Sequence, residues 1–316
     1  GISVLNSTRI QVTGNKLIGN IAGVSATFSH GVEVSGNSIE GSVWGVYVAN
    51  VTSFILSSNR VANSSWGLML LFSPGAKLLW NEFLGCGIYT IASPGCTAAG
   101  NKVNGRPLVY LEGVSGAEVW EAGQVVLVNC TDVRVANLSI QRASVGILLY
   151  RTRRSIVESC NLTGNVWGIM LHSSLNNTLA GNWVESNDVG IYLYESQGNA
   201  VLGNALLRNG LGLWLACSSS NLIYGNCFIL NRIQASAGCG ENSWLGEGGG
   251  NYWSDADDTD FNNDGVADKP YRVGWGNVDE RPLTACPLPK VLQLPLPACN
   301  LTLRGGAAPQ RGEPFT

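Results

Sequence analysis

The chain has 316 residues, a net charge of −3 and only 13% charged residues, with 40 glycines and nine cysteines. So weak a charge gives no electrostatic case for nucleic acid or an anionic membrane. No stretch approaches the roughly 20 apolar residues that span a bilayer, and the glycine content fits a turn-dense β protein.

From the first residues onward, asparagine returns at a near-fixed step. Asn15, Asn37, Asn59, Asn81 and Asn101 stand 22, 22, 22 and 20 residues apart. A second series, Asn137, Asn161, Asn182, Asn204 and Asn226, steps by 24, 21, 22 and 22. Most follow a small residue, and after most of them a Gly-apolar pair comes eight to ten residues later, as at Gly45-Val46, Gly190-Ile191 and Gly212-Leu213. After each pair the side chains alternate, as in Ile191-Tyr192-Leu193-Tyr194, and a second short run such as Asn221-Leu222-Ile223-Tyr224 follows a polar turn. Short β-branched and aromatic runs bounded by Gly, Asn and Ser are strands. A period of about 20 to 24 residues marks a solenoid. The expected fold is all-β, a single-stranded right-handed parallel β-helix with amide side chains stacked coil on coil. A leucine-rich repeat has similar length, but its leucine consensus and helical stretch are missing.

In chain order, a first array covers about residues 1–104. An irregular inserted coil spans about 102–128, beginning at Asn104-Gly105-Arg106-Pro107, and a second array runs from about 129 to 235. The β-helix thus occupies 1–239, and an Asp/Gly/Trp-rich segment at 240–281 reads as a C-terminal cap, since an open solenoid end is an unpaired sheet edge. Residues 282–316 hold seven of the eleven prolines and form an extended tail. The N-terminal edge shows no cap, so a homo-oligomer through that open end or through the tail is an expected possibility. The chain starts at Gly1 with no signal peptide and reads as a processed form or a fragment.

Nine cysteines point to an oxidising compartment or to a hyperthermophile, unless several serve as small core hydrophobes; an extracellular address is the favoured expectation. Candidate disulfides are Cys86–Cys96, Cys217–Cys239 and Cys286–Cys299, although spacing does not fix connectivity. Of eight Asn-x-Ser/Thr sequons, Asn50, Asn63, Asn176 and Asn300 are the expected glycosylation acceptors, and Asn137 and Asn161 are read as ladder positions.

Asp260, Asn262, Asp264, the Val266 carbonyl and Asp268 fall at positions 1, 3, 5, 7 and 9 of a calcium loop, with Gly265 at the sharp turn. Tyr271 replaces the bidentate glutamate, so Asp255, Asp257 or Asp258 is expected to complete the shell of a structural Ca²⁺. Aromatic residues recur beside the strands, at Trp44, Trp66 and Trp167 and at Tyr47, Tyr192, Tyr194 and Trp214. Trp44 and Trp66 are expected to stack on each other. Such a strip either fills turns between coils or offers a surface to a carbohydrate or a surface-protein partner. Glycan-cleaving β-helices need paired carboxylates or a base beside bound acids. The best acidic cluster is Glu185, Asp188 and Glu195, with no suitable base beside it, so no catalysis is expected.

Asn129-Cys130-Thr131-Asp132-Val133, the Gly146-Ile147-Leu148-Leu149 coil and Gly250-Asn251-Tyr252-Trp253-Ser254-Asp255 through Asp268-Lys269-Pro270-Tyr271 resemble the NosD family. The resemblance covers nearly the whole chain to about residue 281. It implies a secreted parallel β-helix of the archaeal surface type and, as the family's named role, assistance in maturing the copper site of nitrous oxide reductase with a membrane transporter. Possible copper ligands are few: His30, His172, Met69 and Met170. Copper is therefore not expected, and the sequence reads as an extracellular structural, adhesive or assembly module. The alternatives are a polysaccharide-binding or polysaccharide-cleaving β-helix and a copper-delivery accessory protein.

Overall fold

The computed structural model describes residues 1–274 and 276–288. Among these, strands and turns make up the regular structure, and no helix is long and apolar enough to cross a membrane. The chain winds as a parallel β-solenoid. Each strand pairs with its equivalent one coil on, so that Ile147, Ile169, Ile191 and Leu213 lie side by side in parallel register.

The 22-residue step follows from the corners. One coil of the second array contains the strands Val145–Tyr150, Ile156–Glu158 and Asn161–Thr163. Between them the backbone turns through left-handed residues at Arg142, Arg151, Arg154 and Ser159, with φ near 50°. An L residue pays a steric penalty in that region, and Gly and Asn pay least. The recurrence of Gly at such corners, as at Gly164, Gly181, Gly203 and Gly225, is therefore the turn geometry written into the sequence, whereas asparagines of the 22-residue step such as Asn37, Asn59, Asn182 and Asn204 are not left-handed. Between corners, alternation sends every second side chain inward. Columns such as Val135, Val157, Leu179, Val201 and Ile223 are almost wholly buried.

The Gly-apolar pairs have a different cause. A Cβ on Gly146 would sit 2.6 Å from the Gly168 carbonyl oxygen, and one on Gly190 would sit 2.6 Å from that of Gly212. Glycine is required there by the close approach of the next coil.

Asparagine ladders satisfy the buried turn amides. The backbone N–H and Nδ2 of Asn37 both donate to Asn59 Oδ1 at 2.9 Å, and Asn59 repeats the pattern on Asn81 at 3.0 Å. The second array carries three such columns. One runs Asn182, Asn204, Asn226 and Asn251. The others are Asn165, Asn187, Asn209 and Asn231, and Asn177, Asn199, Asn221 and Asn242. Asn161 is not a ladder residue: Cys160 occupies that position, its N–H donating to Asn182 Oδ1, while Asn161 starts an outer strand and is exposed. Asn137 is likewise an exposed left-handed corner. The uneven steps of 24 and 21 were the sign of this one-residue offset.

The two arrays do not continue each other as one shaft. At Asn104 and Gly105 both φ angles are positive, 50° and 80°, and the chain reverses in a hairpin. Lys102–Val103 pairs antiparallel with Arg106–Glu112, placing Val103 opposite Arg106. Residues opposite each other in such a pair share a face. Val103 points into the core of the first array, so Arg106, Leu108, Tyr110 and Glu112 lie on the same side of the sheet. The second array has its core on the other side, with Val109 pairing with buried Val125. A single 12-stranded sheet thus serves both arrays, each using an opposite face.

The outer face of the second array closes the open end of the first. Gln124 acts as a substitute strand partner, accepting from the Ile88 N–H at 2.8 Å and donating to the Ile88 carbonyl at 2.6 Å. Glu112 accepts from the Gly95 and Cys96 N–H groups, and Ser144 Oγ accepts from those of Gly67 and Gly87. Beneath this contact the outward-facing Val126, Leu148 and Met170 are buried.

At the far end, Trp253 stacks on Phe228 and Tyr271, with ring centroids 4.2 and 4.1 Å apart. Each ladder ends there on an acceptor: Asn251 on Asp279, Asn242 on Asn277, and Asn231 on Gln234. Cys217 is joined to Cys239 and Cys227 to Cys286. The expected partner of Cys286, Cys299, lies outside the described residues. Cys86 and Cys96 are not a pair: both are free and buried in separate turns, each thiol donating to a backbone carbonyl.

Candidate functional site: the angle between the arrays

Where the arrays meet, aromatic side chains from both converge. Parallel register sets Ser25, Tyr47, Met69 and Tyr89 in one outward row of the first array. It sets Leu148, Met170, Tyr192, Trp214 and Ser236 in an outward row of the second, with Tyr150, His172, Tyr194 and Ala216 beside it. Trp66 meets Trp167 at 4.8 Å and Tyr89 at 5.5 Å, and Tyr89 meets Trp167 edge-on at 5.4 Å. Such contacts contribute about 0.5–1.5 kcal/mol each beyond the area they bury. Trp44 and Trp66 are in register but do not stack as expected, because Trp66 leans across the junction and Trp44 packs on Tyr47.

Away from the junction each row makes ring contacts only within its own array. Tyr192 stacks on Trp214 at 4.4 Å, and His172 lies edge-on between Tyr150 and Tyr194 at 5.2 and 4.8 Å. The outward faces of the two arrays thus meet at this junction, with Tyr89 of the first placed among Tyr150, Tyr192 and Tyr194 of the second. Tyr192 covers one face of Trp214, and the next residue in register on the other side is the small Ser236. Trp214, Tyr194 and His172 are each partly exposed there.

The electrostatics of this surface are mild. Burial holds His172 below the ordinary imidazole range, so it is neutral at pH 7, and its Nδ1 is enclosed without a partner. Burial pushes the Tyr89 and Tyr192 phenols up, and the contact with Glu195 does the same for Tyr194. Arg151 lies over the Tyr150 ring at 5.2 Å, and Glu195 occupies the equivalent corner two coils on.

The acidic residues singled out from the sequence do not converge. Both Glu185 oxygens are taken, by Trp183 Nε1 and Arg208 Nη1 at 2.9 Å each. Asp188 and Glu195 flank opposite ends of the strand Val189–Tyr194, about 20 Å apart at the rise of an extended chain. Among the arginines at 151–154, Arg154 is held by both oxygens of Asp132 at 3.0 Å. Asn50, Asn63 and Asn176 are exposed left-handed corners, while Asn300 lies outside the described residues.

In the acidic loop, Asp260 accepts from the Asp264 and Gly265 N–H groups, and Asp268 from that of Phe261. Asp257 is paired with Lys269, which draws its carboxyl well below the usual range, and Asp255 contacts Tyr271 and Gln234. Asp279, by contrast, is buried, and desolvation raises its carboxyl even though it accepts from Trp253 Nε1, Asn251 and Arg281.

The family described as "Periplasmic copper-binding protein (NosD)" matches residues 1–125 and 85–258. The chain belongs to the NosD family. No curated protein matches this NosD-family chain. Solved structures that resemble it include the periplasmic alginate epimerase AlgG, with a TM-score of 0.36, 15% identity, and coverage of 74% of this chain and 64% of that one. The mannuronan C-5 epimerase AlgE4 A-module of Azotobacter vinelandii gives 0.32 and 12%, covering 75% of this chain and 70% of that one. The Dettilon tailspike protein gives 0.33 and 14%, covering 76% and 60%. The chain thus spans about 64% of the epimerase it resembles.

The family description names copper, which favours imidazole, thioether and thiolate donors. His30 sits in the first array with Nδ1 2.8 Å from Thr52 Oγ1, and His172 stands in the second. Met170 is buried under the junction. The thiols of Cys86, Cys96 and Cys160 are buried in different coils and pushed up to about 12, 11 and 11. No three His, Cys, Asp or Glu side chains among the described residues gather into a group that could hold a metal ion. Among the described residues the two histidines thus lie in separate arrays and these thiols in separate turns.

Proposed function

We propose that this NosD-family chain is an adhesive β-solenoid of the periplasm or cell surface that holds a polysaccharide, without cleaving it, in the angle between its two arrays. The observation that carries this reading is the set of partly exposed rings, Tyr47, Tyr89, Tyr194 and Trp214, on the outward faces that meet at the Trp66–Trp167 contact. Aromatic rings offer apolar surface to the C–H faces of sugars, and their polar edges meet hydroxyl groups. A concave, mostly apolar surface with a few polar groups is the usual form of a ligand site. The scattered carboxylates support binding over cleavage, since acid–base work on a glycosidic bond needs two of them placed together. The test is co-sedimentation with insoluble polysaccharides and cell-wall material. Wild-type protein is expected in the pellet and Trp214→Ala in the supernatant; equal partition of the two proteins rejects the site.

The acidic loop supports a separate structural proposal, a calcium ion held by Asp260, Asn262, Asp264, Asp268 and the Val266 carbonyl. What supports it is the spacing of the oxygen-bearing side chains about Gly265; the ion would draw together carboxylates that here accept from the loop N–H groups, with Arg281 3.9 Å from Asp264.

A further inference from the structure

We infer that the polysaccharide recognised in the inter-array angle is a neutral one. This rests on the reading above and goes further by naming the class of polymer. The argument is electrostatic. Neither the Tyr47–Tyr89 row nor the Tyr192–Trp214 row carries a charged residue, and the flanking row runs Glu112, Val128, Tyr150, His172, Tyr194 and Ala216, with the Glu112 carboxylate taken up at the junction by the Gly95 and Cys96 N–H groups and the Tyr110 hydroxyl. The His172 imidazole is held neutral by burial.

At the rim stand one cation and one anion, Arg151 and Glu195. They occupy equivalent corners two coils apart, roughly 10 Å at the spacing of neighbouring strands. That separation is about a Debye length in physiological salt, so the pair presents no net field to a long polymer. Arg151 also lies over the Tyr150 ring, and Glu195 accepts from Ser173 Oγ at 3.4 Å. A polyuronate, with a carboxylate on every sugar, would be desolvated against these rings without a row of cations to meet it. A neutral chain loses no ionic hydration there. Its C–H faces meet the rings, and its hydroxyls meet phenols that remain protonated and so able to donate.

The experiment is affinity gel electrophoresis of the whole protein through soluble neutral polymers, a β-glucan, a xylan and a mannan, and through two polyuronates, alginate and polygalacturonate. At least one neutral polymer is expected to retard migration, with a dissociation constant that changes less than twofold between 20 and 500 mM salt (about the limits between which charge screening goes from weak to strong). Tyr194→Phe, which removes one hydroxyl, and Trp214→Ala are expected to weaken retardation about tenfold or more, with circular dichroism unchanged. Retardation confined to the polyuronates and abolished by high salt overturns the neutral class, and if Trp214→Ala also removes it, the site itself stands. Retardation by no polymer overturns both readings. Retardation that survives both substitutions moves the binding surface elsewhere.

Discussion

Asparagine solves two problems in this chain, at different positions. It tolerates the left-handed corner, and as a ladder residue it offers an acceptor to the coil before it and donors to the coil after it. A ladder must stop on a group that accepts without needing a further partner. Asp279 does this for the column that ends at Asn251, its carboxylate taking the Asn251 N–H, Asn251 Nδ2 and Trp253 Nε1. Because burial raises this carboxyl, the folded state favours its protonated form. The stability it contributes is complete below the ordinary value of 3.8 and is lost as pH rises through the elevated native value. Asp279→Asn keeps an acceptor but cannot ionise. Thermal melts from pH 3.5 to 7 are expected to show wild-type stability falling relative to the variant as pH rises; parallel curves would contradict this. The ladder itself was legible from the 22-residue step. Asn161 misled because a sequon asparagine beside Cys160 looks the same in one dimension, although only the residue one place earlier points inward. The columns through Asn187 and Asn199 obey the same step and could have been found by it.

At the scale of elements, the strands and turns follow from alternation and corner chemistry, and sequence is informative there. Contacts between distant segments are less so. The Cys227–Cys286 link joins a coil strand to the segment beyond the cap across 59 residues, and spacing alone favours the nearer Cys299. Closing a loop of that length restricts the unfolded chain by about 4 kcal/mol in the entropy model. The acidic loop belongs to the same region, and the calcium proposal has a direct consequence. Millimolar calcium is expected to raise the melting temperature of the cap by several degrees, a chelator to reverse the rise, and Asp264→Ala to abolish it. A melting curve indifferent to both additions counts against the ion.

For the whole molecule, the decisive event is the reversal at Asn104-Gly105. An Asn-Gly pair between strand-like runs is a strong hairpin signal, but the regular repeats on either side favour reading it as an interruption of one shaft. The angle between the arrays, and with it the candidate site, could not be read from repeats that look alike on both sides. Its integrity depends on Gln124, whose amide completes the edge at Ile88. Gln124→Leu leaves a buried N–H and C=O unmet, a loss of about 3 kcal/mol. Chemical denaturation, expected to show one transition in the wild type, should separate into two in this variant. A single transition at an unchanged midpoint would remove the amide from the coupling of the arrays.

The turn at Asn104-Gly105 also separates reach from shape. Since the elbow is set by one hairpin and the few residues packed under it, a coil duplicated in either arm would lengthen that arm and leave the bend untouched. Chains of this build can therefore differ in span while keeping the same crook, whatever the number of windings on each side.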